Sequence, residues 1–379
     1  MMDTSTPVDA HAETSADTQT ETGYGLPMFW PFAAMLNRWE RNLTFFKEAQ
    51  EINHPPAPEW ATPNSVRLDL STMRLRDFSA PESDGVPVLV DAPYAGHAST
   101  IADYAPGQSL VETLMNNGVR RVFSTDWKPA TPEMRYFNID TYLAELNAAI
   151  DDLGGQVHLI GLCQGGWLSA MLAARFPHKV RSLVLAGSPI DTDAGDGPIR
   201  KMAHELPLST YEEMVTMGGG LMPGRFMLAG WKNMHPEEQY AEKYIRLYRN
   251  LNDKAYLART ETFESWYENA LDLPGTYYLQ AIRELFKENR FASGEFVGLG
   301  RTLNLKAVTV PAYLLAGETD DITTSEQVFA ARGLLGTPDD KVVSELVPGG
   351  HIGLFMGHQT LRDTWPKIAR WLLTQDEAA

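Results

Sequence analysis

The sequence predicts an α/β fold: a mostly parallel sheet with helices on both faces and an inserted helical cap. Three observations carry this expectation. Short apolar runs alternate with amphipathic ones over residues 61–191 and again over 304–379. Between 192 and 303 the alternation stops and the chain turns helical and aromatic. At 157–174 an apolar run, a glycine-flanked turn and an apolar helix follow one another without a gap. Strands alternating with helices imply right-handed crossovers and a parallel sheet.

Composition narrows the function classes. The chain has 379 residues, 44% of them hydrophobic, which is ample for a large core. A net charge of −17 argues against nucleic acid or an anionic membrane as the main partner. A single cysteine excludes an intramolecular disulfide and any zinc site built on several cysteines. Residues 1–25 are rich in Thr, Ser, Ala and acid, lack Lys and Arg, and read as a disordered acidic tail without the features of a signal peptide. No run approaches the roughly 18 apolar residues of a membrane span. A cytoplasmic location is the expectation.

In order along the chain, Phe29, Phe32, Leu36, Trp39, Leu43 and Phe46 recur at helical spacing. They predict an amphipathic helix with an aromatic stripe, expected to pack on the protein's own core. The alternative is a stripe that meets a hydrophobic surface or a second copy of the chain. Pro55-Pro56-Ala57-Pro58 follows as a stiff linker, closing a segment placed at 26–60. Strands are expected at 65–75, 86–90, 119–124, 157–162, 182–186, 312–316 and 342–347. Helices are expected at 109–117, at 139–153 with Asn138 as cap, and at 361–373. The cap holds Trp231, Trp266, Tyr267, Tyr277 and Tyr278, and its run Gly218-Gly219-Gly220 suits a lid.

The chemistry centres on Gly161-Leu162-Cys163-Gln164-Gly165. A sharp strand-to-helix turn needs small neighbours, and it places its apex residue at a helix N-terminus. There the free N–H groups favour an anion, which lowers a thiol's pKa. Two later strand ends complete the set: Gly317-Glu318-Thr319-Asp320-Asp321 and Gly349-Gly350-His351. Cys163 is the expected nucleophile, His351 the base, and Asp320 the acid that orients it, with Asp321 as rival acid and His358 and His97 as rival histidines. Nucleophile, acid, histidine is the order of the α/β-hydrolase fold. The oxyanion donors are expected at the N–H of Gln164 and in the Tyr94–Ala95 turn. His97, Asp126, Trp127 and Trp167 are candidates to line the substrate site. No metal-ligand cluster and no dinucleotide fingerprint is visible, so neither metal nor cofactor is expected.

These segments resemble the polyhydroxyalkanoate enzymes, the intracellular depolymerases and, more distantly, the synthases. The resemblance runs from about residue 86 to 371 and includes Ala92-Pro93-Tyr94-Ala95-Gly96-His97, Thr125-Asp126-Trp127, Gly187-Ser188-Pro189-Ile190-Asp191 and Gly350-His351-Ile352-Gly353-Leu354-Phe355. It implies an α/β-hydrolase fold and puts nucleophile, acid and histidine on Cys163, Asp320 and His351. The elbow, with Gly165-Gly166, is closer to the synthase box. Asp321, however, stands where synthases carry a histidine, and the synthases' Pro-Pro-Trp-Ile-Asn run is absent. The leading expectation is a cysteine-dependent ester hydrolase acting on intracellular polyhydroxyalkanoate, such as polyhydroxybutyrate, or its oligomers. A synthase using hydroxyacyl-CoA, a small-acyl thioesterase and a granule-binding protein of little activity are the alternatives. The partner implied is a polyester granule, with a homodimer as a further expectation.

Overall fold

The structure, a computed structural model, describes residues 30–81 and 83–377. The acidic tail expected at 1–25 and Phe29 lie outside them. The described residues open with helix α1 (Trp30–Asn53). Strands β1 (Ser65–Asp69) and β2 (Met73–Asp77) form an antiparallel hairpin where a single strand was expected. The break has a tertiary cause. The N–H groups of Ser71 and Thr72 donate to the Glu145 carboxylate at 3.0 and 2.8 Å, so the turn is closed by a residue far along the chain.

The alternation that follows builds the sheet: β3 (Val88–Asp91), α2 (Leu110–Asn116), β4 (Val122–Trp127), α3 (Ile139–Asp152), β5 (Val157–Leu162), α4 (Gln164–Arg175) and β6 (Val180–Ala186). Ser109 and Asn138 cap α2 and α3 by accepting the N–H groups of Glu112 and Thr141, as their short polar side chains favour. The sheet resumes with β7 (Ala312–Gly317) and β8 (Val342–Val347). Its eight strands lie in the order β1-β2-β4-β3-β5-β6-β7-β8. From β4 to β8 every pairing is parallel. Strand side chains alternate between two cores. Leu89, Leu159 and Leu183 face one layer with α3 and α4, while Val90, Ile160 and Val184 face the other with α2 and the final helix.

Between β6 and β7 the chain forms α5 (Pro198–Glu205), α6 (Leu208–Met217), α7 (Gly224–Met234), α8 (Lys243–Arg249), α9 (Lys254–Glu268) and α10 (Gly275–Gln280). This segment packs on the turn after β3: Leu271 N–H donates to Gly96 O at 2.7 Å, and Trp266 Nε1 to Ala98 O at 3.0 Å. The last helix, α11, spans Trp365–Glu377 rather than starting at 361. Pro366 falls in its first turn, where a missing N–H is tolerated, and a separate short helix ends at Asp363 before it.

One expectation about α1 is reversed. The face that packs on the protein carries Phe45, Ala49 and Ile52, set against Leu247 and Leu251 of the helical segment. Trp39, Leu43 and Phe46, assigned to the packed stripe, are 62, 54 and 67% exposed. No helix among the described residues is long and apolar enough to cross a membrane.

Candidate active site

Cys163 sits between β5 and α4 with φ +50° and ψ −118°, a conformation disfavoured for a side chain and characteristic of a residue held at a sharp functional turn. Its neighbours explain why the turn closes. A methyl on Gly161 would lie 2.4 Å from Gly166 Cα, and one on Gly165 would lie 2.1 Å from the Asp91 carbonyl oxygen. Gly166 is equally constrained, since a methyl there would come within 1.7 Å of Ser188 Oγ. Cys163 N–H donates to Ala186 O at 2.9 Å, anchoring the apex to the next strand. Cys163 as a whole is buried, at 8% exposure. Gln164 opens α4, so its N–H has no acceptor within the helix and is free for an anion.

The loops after β7 and β8 meet beside it. His351 Nδ1 lies 2.7 Å from Asp320 Oδ2. The other carboxylate oxygen, Oδ1, accepts the N–H groups of Ile322 and Thr323 at 3.0 and 2.8 Å, which fixes the acid's orientation. Nε2 of His351 is buried and makes no hydrogen bond among the described residues. Burial opposes charge on this imidazole. The nearby Cys163 and Asp320, both negative when ionised, outweigh it and hold its pKa well above the usual histidine value. Gly187, at φ +55°, keeps room for the ring, because a methyl there would stand 3.2 Å from His351 Cε1. Such a set can deprotonate a thiol, hold the thiolate–imidazolium pair and return a proton to a leaving group.

The remaining expected residues divide. Asp321 turns away to pair with His235 at the end of α7, at 2.8 Å. His358 is exposed on a short helix. Tyr94 and Ala95 follow β3, whose Asp91 is in register with Gly161, so that turn lies alongside the elbow. The Tyr94 ring is buried against Tyr142, Trp127 and Tyr277.

Of the four residues proposed to line the substrate site, His97, Asp126 and Trp127 are engaged by other parts of the chain. His97 stacks on both Trp266 and Tyr267, at 4.7 and 5.2 Å, and bonds the Tyr267 carbonyl through Nε2. Asp126 pairs with Arg76 across β2 and β4 at 2.7 Å. Trp127 is buried and donates Nε1 to Ala92 O at 2.8 Å, bracing the turn after β3. Trp167 is buried one turn beyond Cys163. His97, Asp126 and Trp127 follow strand ends, but their partners come from distant parts of the chain. The sequence reading singled out neither Ser188, whose hydroxyl sits against Gly166, nor Asp91, whose carboxyl is buried beside the elbow. The signal for Asp91 is a carboxyl ending the apolar run Val88-Leu89-Val90.

Fold and site together define a protein of the α/β-hydrolase class with a cysteine at the elbow. A monoacylglycerol lipase from Paleococcus ferrophilus shares the fold, with a TM-score of 0.51 at 15% identity, over 80% of this chain and 99% of that one. The family model described as PHB de-polymerase C-terminus matches residues 187–376, and the chain belongs to that family. Curated relatives carry polymerase names. The poly(3-hydroxyalkanoate) polymerase subunit PhaC of Haloferax mediterranei is 28% identical over 83% of this chain and 65% of its own length. The chain thus spans just under two thirds of that relative. The subunit of the same name from Allochromatium vinosum is 27% identical over 86% of this chain and 90% of its own.

Proposed function

We propose that the protein is a poly(3-hydroxyalkanoate) polymerase that transfers hydroxyacyl groups from CoA thioesters through Cys163. The observation that carries this reading is a cysteine elbow beside a histidine–carboxylate pair, in a chain whose relatives named as polymerases align over most of its length. The Cys163 thiolate attacks the thioester carbonyl, and the developing oxyanion is held by the Gln164 N–H and a second N–H from the turn at Tyr94–Ala95. Collapse of that intermediate expels CoA, with His351 supplying the proton. The acyl group, now a thioester of Cys163, is attacked by the hydroxyl of a growing chain, whose proton passes to His351. One oxyanion donor is worth about 3 kcal/mol in such a step.

Hydrolysis, placed first by the sequence, is the second reading and is favoured by the description of the matching family model. It differs only in the final acceptor, water in place of a chain hydroxyl. The test is incubation with 3-hydroxybutyryl-CoA and, in parallel, with amorphous polyhydroxybutyrate. Polymerisation is expected to release CoA together with insoluble polymer. Free acid as the sole acyl product, or free acid released from the granules without polymer growth, would overturn it. Loss of both activities in Cys163→Ala is expected.

A further inference from the structure

We infer that Asp91 is a positioning residue of this site: its buried carboxyl ties the helix that carries the nucleophile to the turn that carries the second oxyanion donor. The inference rests on the acyl-transfer reading above.

Asp91 is the last residue of β3 and is fully buried. Its Oδ2 accepts a hydrogen bond from Ser169 Oγ at 3.0 Å, and Ser169 lies in α4, between one and two turns beyond Cys163. Its Oδ1 meets Thr125 Oγ1 at 3.4 Å, and that same hydroxyl oxygen accepts the N–H of Ala92 at 2.9 Å. The backbone oxygens of Asp91 and Ala92 sit against Gly165, at 2.1 and 2.9 Å from where its Cβ would be. Side chain and backbone of one residue therefore set both the height of α4 and the start of the turn running through Pro93, Tyr94 and Ala95. The distance between the Gln164 N–H and the second donor follows from that contact.

Among the described residues the carboxyl has no cation beside it to hold it charged: no Lys, Arg or His bonds to it, and its two partners are hydroxyls. Burial, opposed by those two hydroxyls, pushes its pKa well above the usual carboxylate range. A charged Asp91 would stand close to the place where the oxyanion forms and oppose it. A neutral group of the same shape holds the two elements together and leaves the field at the oxyanion site favourable. An amide therefore suits the position as well as an acid does, whereas a methyl does not.

The test compares Asp91→Ala, Asp91→Asn and Ser169→Ala, using CoA release from 3-hydroxybutyryl-CoA and the rate of Cys163 alkylation by iodoacetamide. A donor displaced by a fraction of an ångström weakens transition-state binding more than substrate binding. For Asp91→Ala the expected result is a kcat lower by about 10–100-fold, with KM within about threefold and alkylation within about twofold. Asp91→Asn is expected to return kcat to within about threefold of the unaltered enzyme, and Ser169→Ala to lower it by about 3–10-fold. Should Asp91→Ala fail to fold, Ser169→Ala decides, because it removes one bond and leaves the carboxyl in place. An unchanged kcat in Asp91→Ala or, where that variant does not fold, in Ser169→Ala would overturn the inference. So would an equal loss in Asp91→Asn, or a fall in alkylation parallel to kcat. Turnover retained in Cys163→Ala would overturn the acyl-transfer reading itself and is seen before any Asp91 variant is compared.

Discussion

His351 holds Nδ1 at 2.7 Å from Asp320, while the next carboxylate, Asp321, reaches His235 at 2.8 Å instead. Adjacent acids in one loop thus take opposite directions, one into the buried site and one across to the helical segment. The local reason is the pair of backbone N–H groups at Ile322 and Thr323, which grip Asp320 Oδ1 and aim Oδ2 at the ring.

The two acids are separable by mutation. Asp320→Asn removes the negative charge that supports the imidazolium and favours the wrong tautomer. Its kcat for CoA release is expected to fall by about 10²–10⁴-fold. Asp321→Asn is expected to stay within about threefold, since its carboxylate pairs with an exposed histidine, where ion pairs contribute little. Equal losses in the two variants would remove the distinction.

His97 gives a stability prediction with a definite sign. Burial drives its pKa down to about 4, against the Tyr267 carbonyl and the Glu268 charge, which pull the other way. In the unfolded chain a histidine titrates near 6.5. Above that pH both states are neutral, and the contribution of His97 to stability is fully present. As pH falls from about 6.5 to 4 the unfolded state takes up a proton that the folded site refuses, and stability drops. The loss is at most about 3 kcal/mol, because the residue is only part-buried. Urea unfolding of the unaltered protein and of His97→Phe at pH 8, 6 and 5 checks it. The difference between them is expected to shift in favour of the phenylalanine as pH falls. A difference independent of pH would mean that the folded site accepts the proton.

Legibility in the sequence followed the range of the interactions. The elbow was readable because its requirements are local: an apolar strand, small residues around Cys163 and an apolar helix behind it. Asp320 and His351 were readable because parallel strands bring their carboxyl ends to one edge, so loop order alone suggests convergence. The hairpin turn at residues 70–72 was not, because Glu145 closes it from α3. The partners of Asp126, Trp127 and His97, namely Arg76, the Ala92 carbonyl and Trp266, were not legible either, because they cannot be inferred from spacing. Asp91 went unread because a single carboxyl after an apolar strand carries no periodic signal.

The N-terminal helix extends the same lesson and can be tested directly. Periodicity located the apolar residues of α1 but not the face that packs, since the covering surface at Leu247 and Leu251 lies some 200 residues further along the chain. Ile52 is 1% exposed in that contact, so Ile52→Ala leaves a cavity and is expected to cost about 2–4 kcal/mol. Trp39→Ser, Leu43→Ser and Phe46→Ser alter residues more than half exposed, and each is expected to change stability by no more than about 0.5 kcal/mol. Denaturant midpoints for the four variants provide the comparison. A large loss in the serine variants with little in Ile52→Ala would mean that α1 seats its aromatic face on the protein after all. The expected order leaves Trp39, Leu43 and Phe46 free, with Phe45, Ala49 and Ile52 forming the apolar contact that seats the helix.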